Sequence, residues 1–446
     1  MISATPEHDR LLRERLEGLT RTDRDYWSFK GNAAREHGHG LFQYPAMMVP
    51  QVARAVLQQA CEVHPAIERV GDPFAGSGTI LTESLLRGLG FCGTDINPLA
   101  VLLCRVKAGP FFVDALTAKA ADLMARIKSD AETSVEVDFT NLDKWFRADV
   151  QVALSRIRRA IRREDSPWAR RFFWVGMAEA VRLSGNSRTS TYKLHIRTTE
   201  DIAKRRFDAI AVFKKAIERN LKHIRAQEEC LSAAGNLNRG HYRQAVDITL
   251  GDTRKTVHRE QADIILTSPP YGDNATTVPY GQYSYLPLQW IDLSDIGPDA
   301  EPEFLRTTHE IDARSLGGSR RTKQTDHDHL CDRSPAYNRF IGRLQDMPAD
   351  RSTRVTAFFR DLDACLESIL QGLKPSGLMV WTLGNRRVGG RRMPMDTILS
   401  ELLAKHDTRI ICTLSRHISS KRMAPKNNIA KTMSSESILV MRKAAA

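Results

Sequence analysis

Apolar positions follow two rhythms along this chain. Short, nearly continuous apolar runs of strand length alternate with longer segments that carry an apolar residue every three or four positions. The first run ends at Val70–Gly71, in "IERVGDPFAGSGT", and Thr79 to Arg87 then shows helical spacing. "GFCGTDIN" predicts a second strand ending in Asp95, and "PLAVLLCRVKA" a helix with Pro98 in its first turn. This strand–helix–strand–helix order is the start of a doubly wound α/β sheet. The rhythm resumes with "AVDITLGDTRK", "ADIILTSPPY", "GLMVWTLGNRR" (377–387), "RIICTLSRHI" and "ESILVMRK". A helix, "TAFFRDLDACLESILQGLKPSG", precedes the 377–387 strand.

Two stretches break the alternation. Residues 110–245 read as largely helical: "VDALTAKAADLMARIKSDAE", "KWFRADVQVALSRIRRAIRR", "ARRFFWVGMAEAVRLSG" and "TEDIAKRRFDAIAVFKKAIERNLKHIRAQEE". Residues 296–352 are polar, rich in His, Asp and Arg, and show no clear period. The chain therefore divides into five parts. Residues 1–109 hold an N-terminal segment and the first half of the sheet domain. Residues 110–245 form a helical insertion, and 246–295 the second half of the sheet domain. Residues 296–352 are a polar insertion, and 353–446 the last strands and helices. Ahead of the sheet, a helix leads into the Gly/His-rich "KGNAAREHGHG". "LFQYPAMMVP" follows, then an amphipathic helix after Pro50.

Composition narrows the setting. The 446 residues are 41% hydrophobic and 27% charged, a globular balance. No run approaches the ~18 apolar residues of a membrane span. The charged N-terminus lacks a signal-peptide core, which predicts a cytoplasmic protein. Seven scattered cysteines with no Cys-x-x-Cys pair argue against a zinc site or a disulfide framework. Net charge is +13, which points to a polyanion. Residues 141–245 hold 23 Lys/Arg against 11 Asp/Glu, nearly the whole imbalance, so the helical insertion is a DNA-binding candidate.

Candidate chemistry gathers at predicted strand ends. The turn Asp72-Pro73-Phe74-Ala75-Gly76-Ser77-Gly78-Thr79 lets backbone approach a ligand, because glycine carries no Cβ. It is neither a phosphate P-loop nor a GxGxxG turn. Asp95 is placed to accept from ribose hydroxyls or to cap the next helix. Asp252 is placed to accept from an adenine amino group or to form a turn. Together, Asp72, Asp95 and Asp252 describe a nucleoside-bearing ligand across the sheet's carboxyl edge. At the same edge, Ser268-Pro269-Pro270-Tyr271 ends a strand abruptly, since proline has no N–H for the ladder. The Ser268 hydroxyl and the Pro269 carbonyl can accept from one –NH2 group and aim its lone pair at an electrophile. Tyr271 offers a face for an extruded base.

"DPFAGSGT" with "TSPPY" resembles the S-adenosylmethionine-dependent amino-methyltransferases of DNA, which modify cytosine N4 or adenine N6. "LFQYPAMMVP", "GTDINPLA", "GDTR", "LKPSGLMVWTLGNRRV" and "RHISSKRMAP…ESILVMRK" extend the resemblance over about half the chain in several blocks. It implies a Rossmann-like class I methyltransferase sheet. It assigns cofactor binding to Tyr44, Pro45, Asp72, Pro73, Phe74, Ala75, Gly76, Ser77, Gly78, Thr79, Asp95, Ile96, Asp252 and Thr267. It assigns the target base to Ser268, Pro269, Pro270 and Tyr271. Relatives whose tetrapeptide begins with Ser mostly methylate cytosine N4, and those beginning with Asp or Asn adenine N6. The implied activity is therefore cytosine-N4 methylation of a flipped base in duplex DNA, with no covalent cysteine step and no metal. Host-DNA marking beside a restriction endonuclease is the implied setting, in a bacterial or phage system. Adenine-N6 methylation, RNA guanine-N2 methylation and a non-catalytic binding subunit are the alternatives.

The sequence departs from the family's pattern in two places. Met47 stands where the family often has a lysine, so another group must meet the cofactor carboxylate if that lysine does. The insertion after the ribose strand is long and helical. Arg182, Arg188, Lys193 and Arg197 are its best phosphate candidates, and residues 296–352 are a candidate reader of base edges. Tyr280, Tyr283 and Tyr285 are candidate walls of the base pocket, and Trp290 is better suited to the core.

Overall fold

A computed structural model of the chain describes residues 5–29, 35–418 and 433–445. The segment "SSKRMAPKNNIAKT", part of the C-terminal resemblance, lies outside the described residues. Helices α1 (Pro6–Thr22) and α2 (Pro50–Val63) precede a seven-stranded sheet. Its strands are β1 (Arg69–Asp72), β2 (Gly90–Asp95), β3 (Val246–Leu250), β4 (Ala262–Thr267), β5 (Leu373–Leu383), β6 (Thr408–His417) and β7 (Ser435–Lys443). The spatial order is β6-β7-β5-β4-β1-β2-β3. β3, β2, β1, β4 and β5 run parallel, and β7 pairs antiparallel with both β5 and β6. This is the expected doubly wound α/β sheet with one reversed strand near its edge. The strand order reverses between β1 and β4, and ligands bind above the carboxyl ends at such a point.

α3 (Thr79–Leu86) and α4 (Pro98–Lys107) connect the first strands. Asn97, not Asp95, caps α4, its side chain accepting from the Leu99 N–H. The helical stretch after α4 comprises α5 (Val113–Ser129), α6 (Ala148–Arg162), α7 (Pro167–Ser184) and α8 (Ala209–Ala233), with short helices between. Two of the four predicted helices are each broken once. The chain turns between Trp145 and Ala148, and again between Lys204 and Ala209, where the Asp208 carboxylate accepts from the Ile210 and Ala211 N–H groups. Local capping thus overrides a continuous apolar period. These helices share one core with α1 to α4: Phe146, Phe173, Trp174 and Phe213 are fully buried beside Leu99 and Leu103.

α9 (Tyr280–Trp290) follows the tetrapeptide. The polar stretch is mostly short helices, and several pack with α10 (Ala349–Gln371) and α11 (Met395–Ala404) over the other sheet face, around Tyr337, Phe358, Phe359 and Trp381. β5 starts four residues earlier than the sequence predicts, at Leu373, and stops at Leu383 rather than at Arg387. At Gly384 the Tyr271 ring and Met433 pack close against the backbone, leaving no room for a Cβ. Among the described residues, no helix is long and apolar enough to cross a membrane.

Candidate active site

One cleft of about 480 Å³ lies at the carboxyl edge of the sheet. The glycine turn, Asp95, Asp252 and the tetrapeptide all line it. They converge because β1, β2, β3 and β4 end side by side. Asp72 and Thr267 close neighbouring strands across the reversal point, and the Thr267 hydroxyl donates to the Asp72 carboxylate at 2.6 Å. Asp72 also accepts from the Phe74 N–H, which fixes the turn's entry. Burial pushes the Asp72 carboxyl up to about 7, against the pull of these two hydrogen bonds. Asp95 accepts from the Gly76 N–H at 2.7 Å and from the Asn97 N–H at 2.8 Å, so it ties the glycine turn to β2. Burial raises its carboxyl to about 6.

Gly76 and Gly78 both have positive φ, 50° and 72°. Nothing stands closer than 3.8 Å to the place of a Gly76 Cβ. The left-handed backbone therefore requires glycine there, and the cleft stays open above it. Gly78 does not line the cleft; its missing Cβ makes room for Cys104 Sγ and Leu81. Thr267 is likewise fully buried and acts through Asp72. Tyr44, Pro45 and Met47 line the opposite wall, with Met47 bringing an apolar side chain. Near the glycine turn, the polar side chains bordering the cleft include Ser77 and Thr79. Asp252 lines the cleft, but the Arg254 guanidinium grips both of its oxygens at 2.6 and 2.9 Å. An adenine amino group there has to share an oxygen already occupied.

Ser268 is half-buried, and its hydroxyl stands 3.3 Å from the Tyr271 hydroxyl. The Tyr271 hydroxyl donates to the Glu436 carboxylate at 3.0 Å. Burial, with Glu436 beside it, holds this phenol well above its usual range, so it stays a donor. Glu436 pairs in turn with Arg416, and both line the cleft. Sequence reasoning placed both residues in the C-terminal block of the resemblance but did not pair them, because the pairing is made across two neighbouring strands. It also missed Asn97, which donates to the Tyr44 and Ser284 hydroxyls, and Ile311, Arg314 and Leu316 of the polar stretch. Asp312 holds that stretch in place by accepting from Gly281, Gln282 and Asn274. Of the aromatic wall candidates, only Tyr280 lines the cleft, stacked on Tyr44 with ring centroids 5.8 Å apart. Tyr283, Tyr285 and Trp290 are core residues; Tyr283 meets Phe42, Tyr44 and Tyr192, and Trp290 meets Phe146.

None of the four basic candidates lines the cleft. Arg182 lies over the Tyr283 ring at 5.7 Å. Arg188 and Lys193 are exposed, and Arg197 is half-buried. Their loop is held by the Ser187–Ile196 bridge and by the Leu194 N–H donating to Gln282 of α9.

A doubly wound sheet of this order, with acids and a glycine cradle at its reversal point, defines a Rossmann-like class I methyltransferase. The cradle, the acceptors at Asp72 and Asp95 and the size of the cleft fit S-adenosylmethionine. No family model matches the chain. It is 30% identical to the type II methyltransferase M.MvaI of Kocuria varians over 458 aligned residues, covering 98% of each chain. It is 28% identical to the type II methyltransferase M.MjaII of Methanocaldococcus jannaschii over 110 residues, 24% of this chain and 20% of that one. Solved structures with some likeness include the rRNA methyltransferase aviRa of Streptomyces viridochromogenes (12% identical, TM-score 0.30, covering 90% of this chain and 86% of that one). A SAM-dependent methyltransferase of Methanosarcina mazei is 7% identical with TM-score 0.27, covering 85% and 94%. The chain belongs to the type II methyltransferase family: it is an S-adenosylmethionine-dependent DNA methyltransferase.

Proposed function

We propose that this enzyme methylates the exocyclic N4 of cytosine held outside the duplex. The observation that carries the reading is the shared cleft, in which Ser268-Pro269-Pro270-Tyr271 faces the glycine turn across the Asp72–Thr267 contact. S-adenosylmethionine, when bound, supplies an electrophilic methyl group on its sulfonium. Gly76, Ser77, Thr79 and Asp95 hold its amino-acid and ribose parts, and Asp252 borders the adenine end. The Ser268 hydroxyl and the Pro269 carbonyl accept the two amino protons of the base. They favour a pyramidal nitrogen with its lone pair directed at the methyl carbon. As the C–N bond forms the methyl C–S bond breaks, its electron pair staying on sulfur to give S-adenosylhomocysteine, and one proton of the methylated nitrogen then leaves to water. Tyr271 and Tyr280 present aromatic surface to the extruded base. Arg182, Arg188, Lys193 and Arg197 supply phosphate contacts beside the cleft. A serine at the head of the tetrapeptide supports cytosine over adenine through the family resemblance. A cytoplasmic setting beside a cognate endonuclease is part of the same reading.

The test is to incubate the protein with unmethylated duplex and isotopically labelled S-adenosylmethionine, then digest to nucleosides and identify the labelled one chromatographically and by mass. Labelled N4-methylcytosine is expected. Labelled N6-methyladenine overturns the base assignment, and label in RNA but not DNA overturns the polymer.

A further inference from the structure

The segment Asn385–Met393, "NRRVGGRRM", holds four arginines and no acid. It leaves the carboxyl end of β5 at Gly384, where the Tyr271 ring lies against the backbone. It then folds into a tight hairpin, pairing Arg387 with Arg392 and Val388 with Arg391. Gly389 and Gly390, with φ of 58° and 77°, form its two-residue turn. Val388 and Met393 are buried and anchor the hairpin to the core. Arg386 is mostly buried and held by Asp273, and both Arg386 and Arg387 line the catalytic cleft.

Arg387 and Arg392 are exposed and sit directly opposite each other, so their side chains share a face. Like charges at such positions destabilise a sheet pair. Among the described residues, Arg387, Arg391 and Arg392 form no direct ion pair; Arg387 donates to the Gly390 carbonyl, and Asp396 is the carboxylate that feels the charge of Arg392. Arg391 is half-buried, with one terminal nitrogen lacking a partner. Arg351 of α10 adds another cation at the turn, beside Met347. A cross-strand arginine pair without a direct ion pair, with Asp396 acting on Arg392 from beyond ion-pair distance, leaves Arg387 at the rim of a cleft that admits a nucleotide and favours an arriving anion.

We propose that this hairpin is a phosphate clamp, binding the sugar–phosphate backbone of duplex DNA next to the extruded nucleotide through Arg387 and Arg392. The inference rests on duplex DNA being the methyl acceptor. The clamp is independent of the Arg182–Arg197 surface and lies on a different element of the fold. Phosphate contacts position the duplex and carry no sequence information, so the clamp acts equally on cognate and unrelated DNA.

The test compares wild type, R387A/R392A and R387K/R392K for binding of a fluorescent 30-base-pair duplex across a salt series, with S-adenosylmethionine affinity measured alongside. Each lost phosphate contact flattens the plot of log K against log salt by about 0.9. The alanine pair is expected to flatten it by about 2 and weaken binding at least tenfold on any sequence, at unchanged cofactor affinity. The lysine pair is expected to restore most of the slope, since a point charge serves a phosphate. An unchanged slope in R387A/R392A, with wild type methylating the same duplex, overturns the clamp alone. A loss of cofactor affinity, or a lysine pair as impaired as the alanine pair, overturns phosphate binding as the role of these arginines. Wild type that neither binds nor methylates duplex DNA overturns the DNA reading and the clamp together.

Discussion

Burial in the cleft pushes the Asp95 carboxyl up to about 6 and the Asp72 carboxyl up to about 7. On the proposed reading Asp95 accepts from the ribose hydroxyls, and its ionised form is the better acceptor, so cofactor binding draws protons off it. The sign follows: affinity for S-adenosylmethionine rises as pH climbs through about 6 and levels off above 7. Calorimetry at pH 5.5, 6.5 and 7.5 is expected to show a several-fold tightening that is absent in Asp95→Asn. For folding the sign is reversed. In the unfolded chain these acids ionise near 3.8, so the folded state holds the extra protons and their contribution to stability falls as pH rises from about 4 to 7. At the base end, the proposed mechanism has Ser268→Ala remove one of two acceptors for the amino group. Single-turnover methyl transfer is expected to slow about tenfold to a hundredfold, with cofactor affinity unchanged.

At the scale of elements, the strand–turn–helix from β1 to α3 depends on two glycines in different ways. Gly76→Ala meets open space and only a backbone penalty, about 1 kcal/mol. Gly78→Ala adds a Cβ 3.0 Å from Cys104 Sγ, so urea melts are expected to show it losing about 2 kcal/mol or more. A second element-scale dependence ties α1 to the far edge of the sheet. Arg442 of β7 is fully buried, and it and Arg409 of β6 both pair with Asp9 of α1. Asp9→Ala strands the Arg442 charge, and a loss of about 3–5 kcal/mol in chemical denaturation is expected. Arg442 also donates to His64 at the end of α2, whose imidazole is pulled down to about 4 by burial and by that guanidinium.

At the scale of the whole molecule, the cleft is assembled from segments scattered over most of the chain. The segments 44–49, 72–80, 95–97, 252–253, 268–280, 311–316 and 382–387 each supply lining residues, with Arg416, Met433 and Glu436. Cofactor binding therefore links segments that share no local structure. Hydrogen exchange is expected to slow together in the 72–80, 95–97 and 311–316 segments on adding S-adenosylmethionine. At a hundred times the dissociation constant the stabilisation is about 2.7 kcal/mol. Protection confined to the glycine turn would show that the 311–316 wall does not close on the cofactor.

The sequence by itself determined the sheet strands, the glycine turn, the three acids and the proline-stopped tetrapeptide. Each is local: apolar period, positive φ and a missing N–H act within a few residues. It also determined that the extra helices after α4 carry the positive charge. Tertiary structure alone decided what stands around those motifs. Glu436 reaches Tyr271 across 165 residues, and Arg416 reaches Glu436 from a neighbouring strand. The polar stretch 296–352, without a period of its own, becomes a cleft wall because Asp312 accepts from the start of α9. Tyr283 and Tyr285 turn inward because helix-on-helix packing, not composition, sets which face of α9 is buried. Long-range pairings depend on which elements the fold brings together, and no window of sequence encodes that.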